Sequence, residues 1–336
     1  MDNSPQGQVA QMLTGYWVSQ MVYVAAKLDL AGLLKAGPCS SDELAQATGT
    51  HPRSLYRLLR GLASLGVFAE GQSKQFSLTP KAEALLDGVP GSQRAMALMT
   101  GEEHYLSWSE LLHCVATGKT GFEKLYNMRP FDYLPLHPEQ GAIFDAAMTS
   151  VHGRESPAAL AAYDFSTIGV LADIGGGNGS LISATLEKHR ELRGILFDMP
   201  SVIERALPNI LQAGLASRCQ CIAGSFFESV PPGADAYMLR HIIHDWDDDE
   251  SVTILRNCRK AIGTNPKGRV LVLETVIPPG NDPMFGKLLD LNMLVIPGGL
   301  ERTETEYREL FTASGWRLNR IVPTTTEISV IEALPV

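Results

Sequence analysis

Asp173 closes the apolar run "VLAD", and four of the six residues after it are glycines: Gly175, Gly176, Gly177 and Gly179. A glycine-rich loop between a strand and a helix lets a ligand approach the backbone closely and sets it at the helix N-terminus. The loop runs on as Gly179-Ser180-Leu181, without the lysine that a triphosphate-binding loop requires. Counted from Gly175 and Gly177, Ser180 stands where a dinucleotide fingerprint needs its third glycine. Neither nucleotide class fits.

One strand later, "GILFDM" carries Asp198 at its end. At strand tips, Asp173 can meet an ammonium group and Asp198 can accept both hydroxyls of a ribose. A ligand with an amino-acid end and a ribose but no phosphate suits both acids, and S-adenosylmethionine is such a ligand. Further on, "RHIIHDWDDDE" places His244 just past the fourth strand, at the same edge of the sheet. Histidine is the side chain best suited to exchange a proton near neutral pH. Of the acids behind it, Asp247 with Glu250 reads as a capping box, and Asp248 and Asp249 suit the first turn of a helix. They read as structural, with no metal site.

These residues need a sheet to hold them. From Asp164 onward, strands alternate with helices: "GVLADIG", "GILFDM", "CQCIAGSF", "DAYMLRHII" and "RVLVLETVI", with helices to about His189, through Leu215 and from Asp248 to Ile262. Such alternation predicts the α/β class, a parallel doubly wound sheet with ligands at the carboxyl ends of its strands. "WRLNRIVPT" and "EISVIEALP" are too close for a crossover helix and should pair antiparallel.

The first hundred residues read differently. Ser40 or Ser41 caps a helix ending near Gly49, and a second helix from Pro52 sets Leu55, Leu58, Leu59 and Leu62 on one face. Val67 to Leu78, turning at Gly71, forms a two-stranded wing, which completes a winged-helix pattern. Arg53, Arg57 and Arg60 share one helix face, but this stretch carries eight basic and seven acidic side chains, and the whole chain has a formal charge of -9. The absence of a basic field argues against a nucleic-acid partner, and an interaction domain is favoured. Met99 to Tyr163 is helical and connects the two parts, giving domains of 1–98, 99–163 and 164–336. No targeting or membrane segment is visible, so a cytoplasmic protein is expected. The five scattered cysteines read as reduced, buried thiols.

"LADIGGGNGS", "LFDMPSVI", "AGSFFESVP", "YMLRHIIHDWDDDE" and "PGGLERTETEYRELF" together resemble, in order and spacing, the class I methyltransferases akin to caffeate and acetylserotonin O-methyltransferases. The resemblance covers nearly the whole chain and implies a Rossmann-like methyltransferase sheet behind a winged-helix dimerisation domain, hence a homodimer. It implies that Asp173, Gly175 and Gly177 hold the methionine end of S-adenosylmethionine, Asp198 the ribose, and Met199 and Phe226 the adenine. Ser225 stands where the family commonly has an acid, and Arg240 where it usually has lysine. His244 is implied as general base, with Glu274 and Glu301 as the acids that flank it. Phe144, Met148, Asn292 and Met293, which by spacing alone read as core, are implied to line the pocket of an aromatic methyl acceptor. Against a phenol of pKa near 10, an ordinary imidazole at 6.5 faces a proton transfer costing roughly 5 kcal/mol.

Overall fold

The computed structural model describes residues 4–336. The chain forms two compact units. One contains the residues up to Leu106 with Leu134–Val151, the other Ser107–Tyr133 with His152–Val336, so the stretch 99–163 is shared between them.

In the first unit, Ser40 is the N-cap of the helix Ser41–Thr48. Its hydroxyl accepts the Glu43 N–H at 3.2 Å and the Glu43 carboxylate accepts the Ser40 N–H at 2.7 Å, a complete capping box. Gly49, at φ +64°, ends that helix. Helix Pro52–Ser64 buries Leu55, Leu59 and Leu62 against it, while Leu58 stays half-buried. The sheet of this unit has three strands, β1 (Cys39–Ser40), β2 (Phe68–Glu70) and β3 (Gln75–Leu78), in the order β1-β3-β2. β2 and β3 are the expected wing. β1 is too short to register as a strand in the sequence. The first helices, Pro5–Leu13 and Gly15–Lys27, leave Val9, Met12, Leu13, Tyr16 and Trp17 exposed.

The second unit is built on β4 (Val170–Ile174), β5 (Arg193–Asp198), β6 (Cys219–Ala223), β7 (Ala236–Arg240), β8 (Arg269–Ile277), β9 (Arg302–Thr303), β10 (Trp316–Pro323) and β11 (Ile328–Pro335). The order is β10-β11-β8-β7-β4-β5-β6, with β9 paired to β8. β4 to β8 run parallel, whereas β11 lies antiparallel to β8 and β10 to β11. Apolar side chains are buried on both faces: Leu171, Leu196, Met238 and Leu273 on one, Ala172, Phe197, Leu239 and Val272 on the other. That explains the near-continuous apolar runs of the parallel strands. β7 stops at Arg240, short of the expected "DAYMLRHII": His241 still donates its N–H to the Leu273 carbonyl at 3.3 Å but turns to φ +52°, which ends the strand.

Of the five cysteines, Cys114, Cys219 and Cys258 are buried, but Cys39 and Cys221 are only half-buried, which corrects the expectation of five buried thiols. No helix among the described residues is long and apolar enough to cross a membrane.

Candidate active site

β4 lies between β5 and β7, so the chain leaves it in one direction for β5 and β6 and returns on the other side as β7 and β8. That reversal opens a crevice at the carboxyl ends of β4 and β7. Asp173, near the end of β4, is buried, and its Oδ2 has no hydrogen-bond partner among the described residues. Burial pushes this carboxyl up to about 7, against the opposing pull of Arg240. Gly175 follows at φ +67°, where a Cβ would lie 2.4 Å from Ile242 Cδ1 and 3.7 Å from Phe226 Cε1. Only glycine lets the loop lie this close to the end of β7. Gly177, at φ +58°, has nothing within 4 Å of where a Cβ would stand, so its face of the loop is open.

Asp198 holds this loop. Its Oδ2 accepts the Gly177 N–H at 2.9 Å and its Oδ1 the Met199 N–H at 2.7 Å. The Met199 side chain is exposed. Ser225 Oγ accepts the Phe227 N–H at 3.3 Å, and the Phe226 ring packs edge-on against Phe227 and Trp246. Arg240 is buried beneath the crevice, donating to Ser156 Oγ at 2.8 Å and Ser180 Oγ at 3.4 Å. A buried acid lacking a partner, an open glycine face and an anchored acid on the next strand fit a ligand with an ammonium end and a ribose.

His244 lies in the single helical turn Ile243–Asp245 that follows β7. Glu274, one strand over on β8, fixes that turn. Its Oε1 accepts the backbone N–H groups of Ile242, Ile243 and His244 at 3.1, 2.7 and 3.2 Å, and its Oε2 accepts the Tyr307 hydroxyl at 2.8 Å. Glu274 therefore flanks the histidine through its backbone N–H. Glu301 meets the ring: His244 Nδ1 and Glu301 Oε1 are 2.7 Å apart, both residues are buried, and Glu301 Oε2 has no partner among the described residues. Asp290 Oδ1 accepts the Glu301 N–H at 2.9 Å and orients that acid from behind. On the other side of the ring, Asp245 Oδ1 lies 3.6 Å from Nε2. Burial opposes charge on the imidazole, but Asp245 and the hydrogen-bonded Glu301 outweigh it and lift His244 to about 10. Burial in turn pushes Asp245 up to about 6, with the facing histidine opposing.

Several neighbours were not singled out in the sequence. His241 Nε2 lies 3.0 and 2.9 Å from the two oxygens of Glu155, and its ring is 5.0 Å from that of His244. Trp108 Nε1–H donates to Asn292 Oδ1 at 2.9 Å. Tyr307 recurs in the quoted motif "TETEYRELF", but nothing local to it signals the partner two elements away. Met293 is buried next to Asn292. Phe144 and Met148 lie on the helix Pro138–Ala162, in its part belonging to the first unit.

One local reading needs correction. Asp247 accepts the Glu250 N–H at 2.9 Å, but the Glu250 carboxylate turns to Arg129 Nη1 at 2.6 Å, so only half of the expected capping box exists. Arg302 donates to Asp248 Oδ1 at 2.8 Å and to the Ile243 carbonyl at 3.1 Å, leaving Glu301 to the histidine. No group of three or more metal-binding side chains occurs among the described residues.

Residues 108–317 match the family model of an O-methyltransferase domain, and residues 10–88 that of an O-methyltransferase dimerisation domain. The chain is 46% identical to phenazine O-methyltransferase PhzM of Lysobacter antibioticus, over 97% of this chain and 95% of that protein. It is 32% identical to a phenazine-1-carboxylate N-methyltransferase of Pseudomonas aeruginosa, over 96% and 95%. Among solved structures, it superposes with a TM-score of 0.84 and 33% identity on NcsB1, an O-methyltransferase from neocarzinostatin biosynthesis in complex with S-adenosylmethionine and 2-hydroxy-5-methyl naphthoic acid, covering 95% of this chain and 96% of that one. With a glycine crevice and a buried histidine–carboxylate pair on a doubly wound sheet, and with both family models matched in sequence, the chain belongs to the O-methyltransferase family and is a methyltransferase.

Proposed function

We propose that this enzyme methylates a phenolic hydroxyl of an aromatic small molecule of secondary metabolism, without a metal, and that it does so as a homodimer. The observation that carries this reading is the buried His244–Glu301 pair, 2.7 Å apart, on the turn that borders the glycine crevice. S-adenosylmethionine, the family's methyl donor, supplies an electrophilic methyl group on a sulfonium. In this reading Asp173 meets its ammonium group, Gly175 and Gly177 border its methionine end, Asp198 accepts its ribose hydroxyls, and Met199 and Phe226 border the adenine. Ser225 lacks the charge of the family's acid and leaves the adenine amine a weaker partner. Arg240 supports the crevice from below. Asn292 and Met293 border the methyl-accepting ring.

The chemistry then turns on one proton. An imidazole held at about 10 matches a phenol of pKa near 10, which removes most of the mismatch of an ordinary histidine. Such an imidazole is already protonated at neutral pH. A neutral imidazole takes the phenol's proton itself; an imidazolium instead receives the acceptor as a phenolate whose proton has gone to solvent, and in both cases the reacting state is an imidazolium opposite a phenolate oxygen. Glu301 fixes the ring's orientation and supports its charge, as a buried carboxylate does for a catalytic histidine. Glu274 keeps the turn rigid, and rigidity matters because aligning the reacting atoms contributes on the order of 7 kcal/mol or more.

Nitrogen methylation is the competing reading, favoured by the relative named a phenazine-1-carboxylate N-methyltransferase. A ring nitrogen with a lone pair has no proton to surrender, so His244 would be idle there. Incubation with labelled S-adenosylmethionine and a panel of phenols and aza-aromatics tests the choice. Label on oxygen is expected, and label only on nitrogen would overturn the reading.

A further inference from the structure

Trp108 dictates which end of the Asn292 amide is available. The indole Nε1–H donates to Asn292 Oδ1 at 2.9 Å. An indole has a donor and no acceptor, so the amide oxygen must face it, and the amide nitrogen with its two N–H groups must face away. No described residue accepts a hydrogen bond from that nitrogen, and Asn292 is half-buried, so the N–H groups retain access to the space beside the helix. Asn292 sits in the last turn of the helix Phe285–Val295, where its carbonyl accepts the Ile296 N–H at 2.9 Å. The chain then turns through Gly298 to Gly299, where a Cβ would lie 2.0 Å from the His244 carbonyl oxygen. The chain that leaves Asn292 thus comes to abut the histidine turn at Gly299.

We propose that Trp108 makes Asn292 an obligate hydrogen-bond donor, and that the enzyme therefore selects phenols bearing an accepting atom next to the reacting hydroxyl. A carbonyl or carboxylate oxygen qualifies. An amino group at that position meets N–H with N–H and leaves both without a partner, which a partly desolvated site penalises. This inference rests on the proposed reading that the substrate ring lies along Asn292 and Met293. Trp108 is then a positioning residue and Asn292 the specificity-determining one.

The test is the ratio of kcat/KM for 2-hydroxyacetophenone over 2-aminophenol, each normalised to the substrate's ionised fraction at the assay pH. The native enzyme is expected to favour the carbonyl compound by about ten- to a hundredfold. Asn292→Asp keeps one oxygen against the indole and sets an oxyanion where the N–H groups stood, so the ratio should invert. Trp108→Phe frees the amide to flip, and the ratio should fall towards one. Calorimetric titration with S-adenosylhomocysteine accompanies each variant as a check that the fold persists. A ratio unchanged in both variants would overturn the inference while leaving the proposed function standing. Absence of oxygen methylation on any phenol by the native enzyme would overturn the proposed function and the inference with it.

Discussion

Gly299 and His244 meet through their backbones: a Cβ on Gly299 would sit 2.0 Å from the His244 carbonyl oxygen and 2.5 Å from the Trp246 nitrogen. No rearrangement of a flexible side chain can relieve that contact. Gly299→Ala must displace the histidine turn or the segment that carries Glu301. Overpacking of this kind costs typically ~1–3 kcal/mol, and the midpoint of thermal unfolding should fall accordingly. Turnover should drop with it, while affinity for S-adenosylhomocysteine, measured by calorimetry, stays within a few-fold.

The two glutamates should fail differently. Glu274→Ala strips three backbone N–H groups and the Tyr307 hydroxyl of their acceptor. Each buried group left without a partner costs roughly 1–3 kcal/mol, so a large loss of stability is expected in denaturant melts. Glu301→Gln keeps shape and a hydrogen bond but removes a charge that supports the imidazolium. His244 is raised in the folded state from 6.5 to about 10, so its contribution to stability is complete below pH 6.5 and is lost as pH climbs through about 10. Over that window the native protein should lose on the order of 3–5 kcal/mol, and Glu301→Gln should lose less. Urea melts at pH 6.5 and 9.5 measure the difference.

Asp173 allows a cofactor test that needs no turnover. Burial raises its carboxyl from 3.8 to about 7, so it is partly protonated at neutral pH, and stability falls as pH rises through that interval. An ammonium group placed beside it favours the carboxylate. Binding of S-adenosylhomocysteine at pH 7 should therefore release a fraction of a proton, detected as a dependence of the binding enthalpy on the buffer's ionisation enthalpy. Asp173→Asn should abolish that release, weaken binding, and make the free protein more stable than the native one at pH 8.

The sequence disclosed residues whose positions depend on near neighbours in the chain. Asp173, the glycines and Asp198 sit at strand ends that the alternation of elements marks out, and His244 and Glu301 fall in long motifs. It did not disclose what Glu274 touches, because that follows from the parallel register of β7 with β8, which sets Arg240 opposite Leu273 and so brings Glu274 under the turn. The Trp108–Asn292 bond spans 184 residues and the Arg129–Glu250 bond 121, beyond any local pattern. The half capping box at Asp247 is a case of tertiary pairing overriding a local motif. His241 leaving β7 early is another kind of miss, since an apolar run does not reveal where a left-handed residue interrupts it.

The apolar side chains on the first two helices should be covered in solution. Met12 is 77% and Trp17 57% exposed in the single chain, within or near the segment that matches a dimerisation domain. Exposed apolar clusters of this kind mark interaction surfaces. Light scattering of the native chain should give the mass of a dimer, and Trp17→Glu with Met12→Glu should shift it towards the monomer. A native chain of monomer mass at micromolar concentration would contradict the homodimer.

The role of His244 is tested most directly by its alanine variant on two substrates. On a phenol of ordinary acidity, His244→Ala should lower turnover by roughly 10² to 10⁴, the usual effect of losing a positioned acid–base group, with cofactor affinity nearly intact. On a nitro-substituted phenol already ionised at the assay pH, there is no proton left to remove, and the defect should shrink by at least about tenfold. An equal defect on both phenols would show that His244 packs or positions and does not manage the proton.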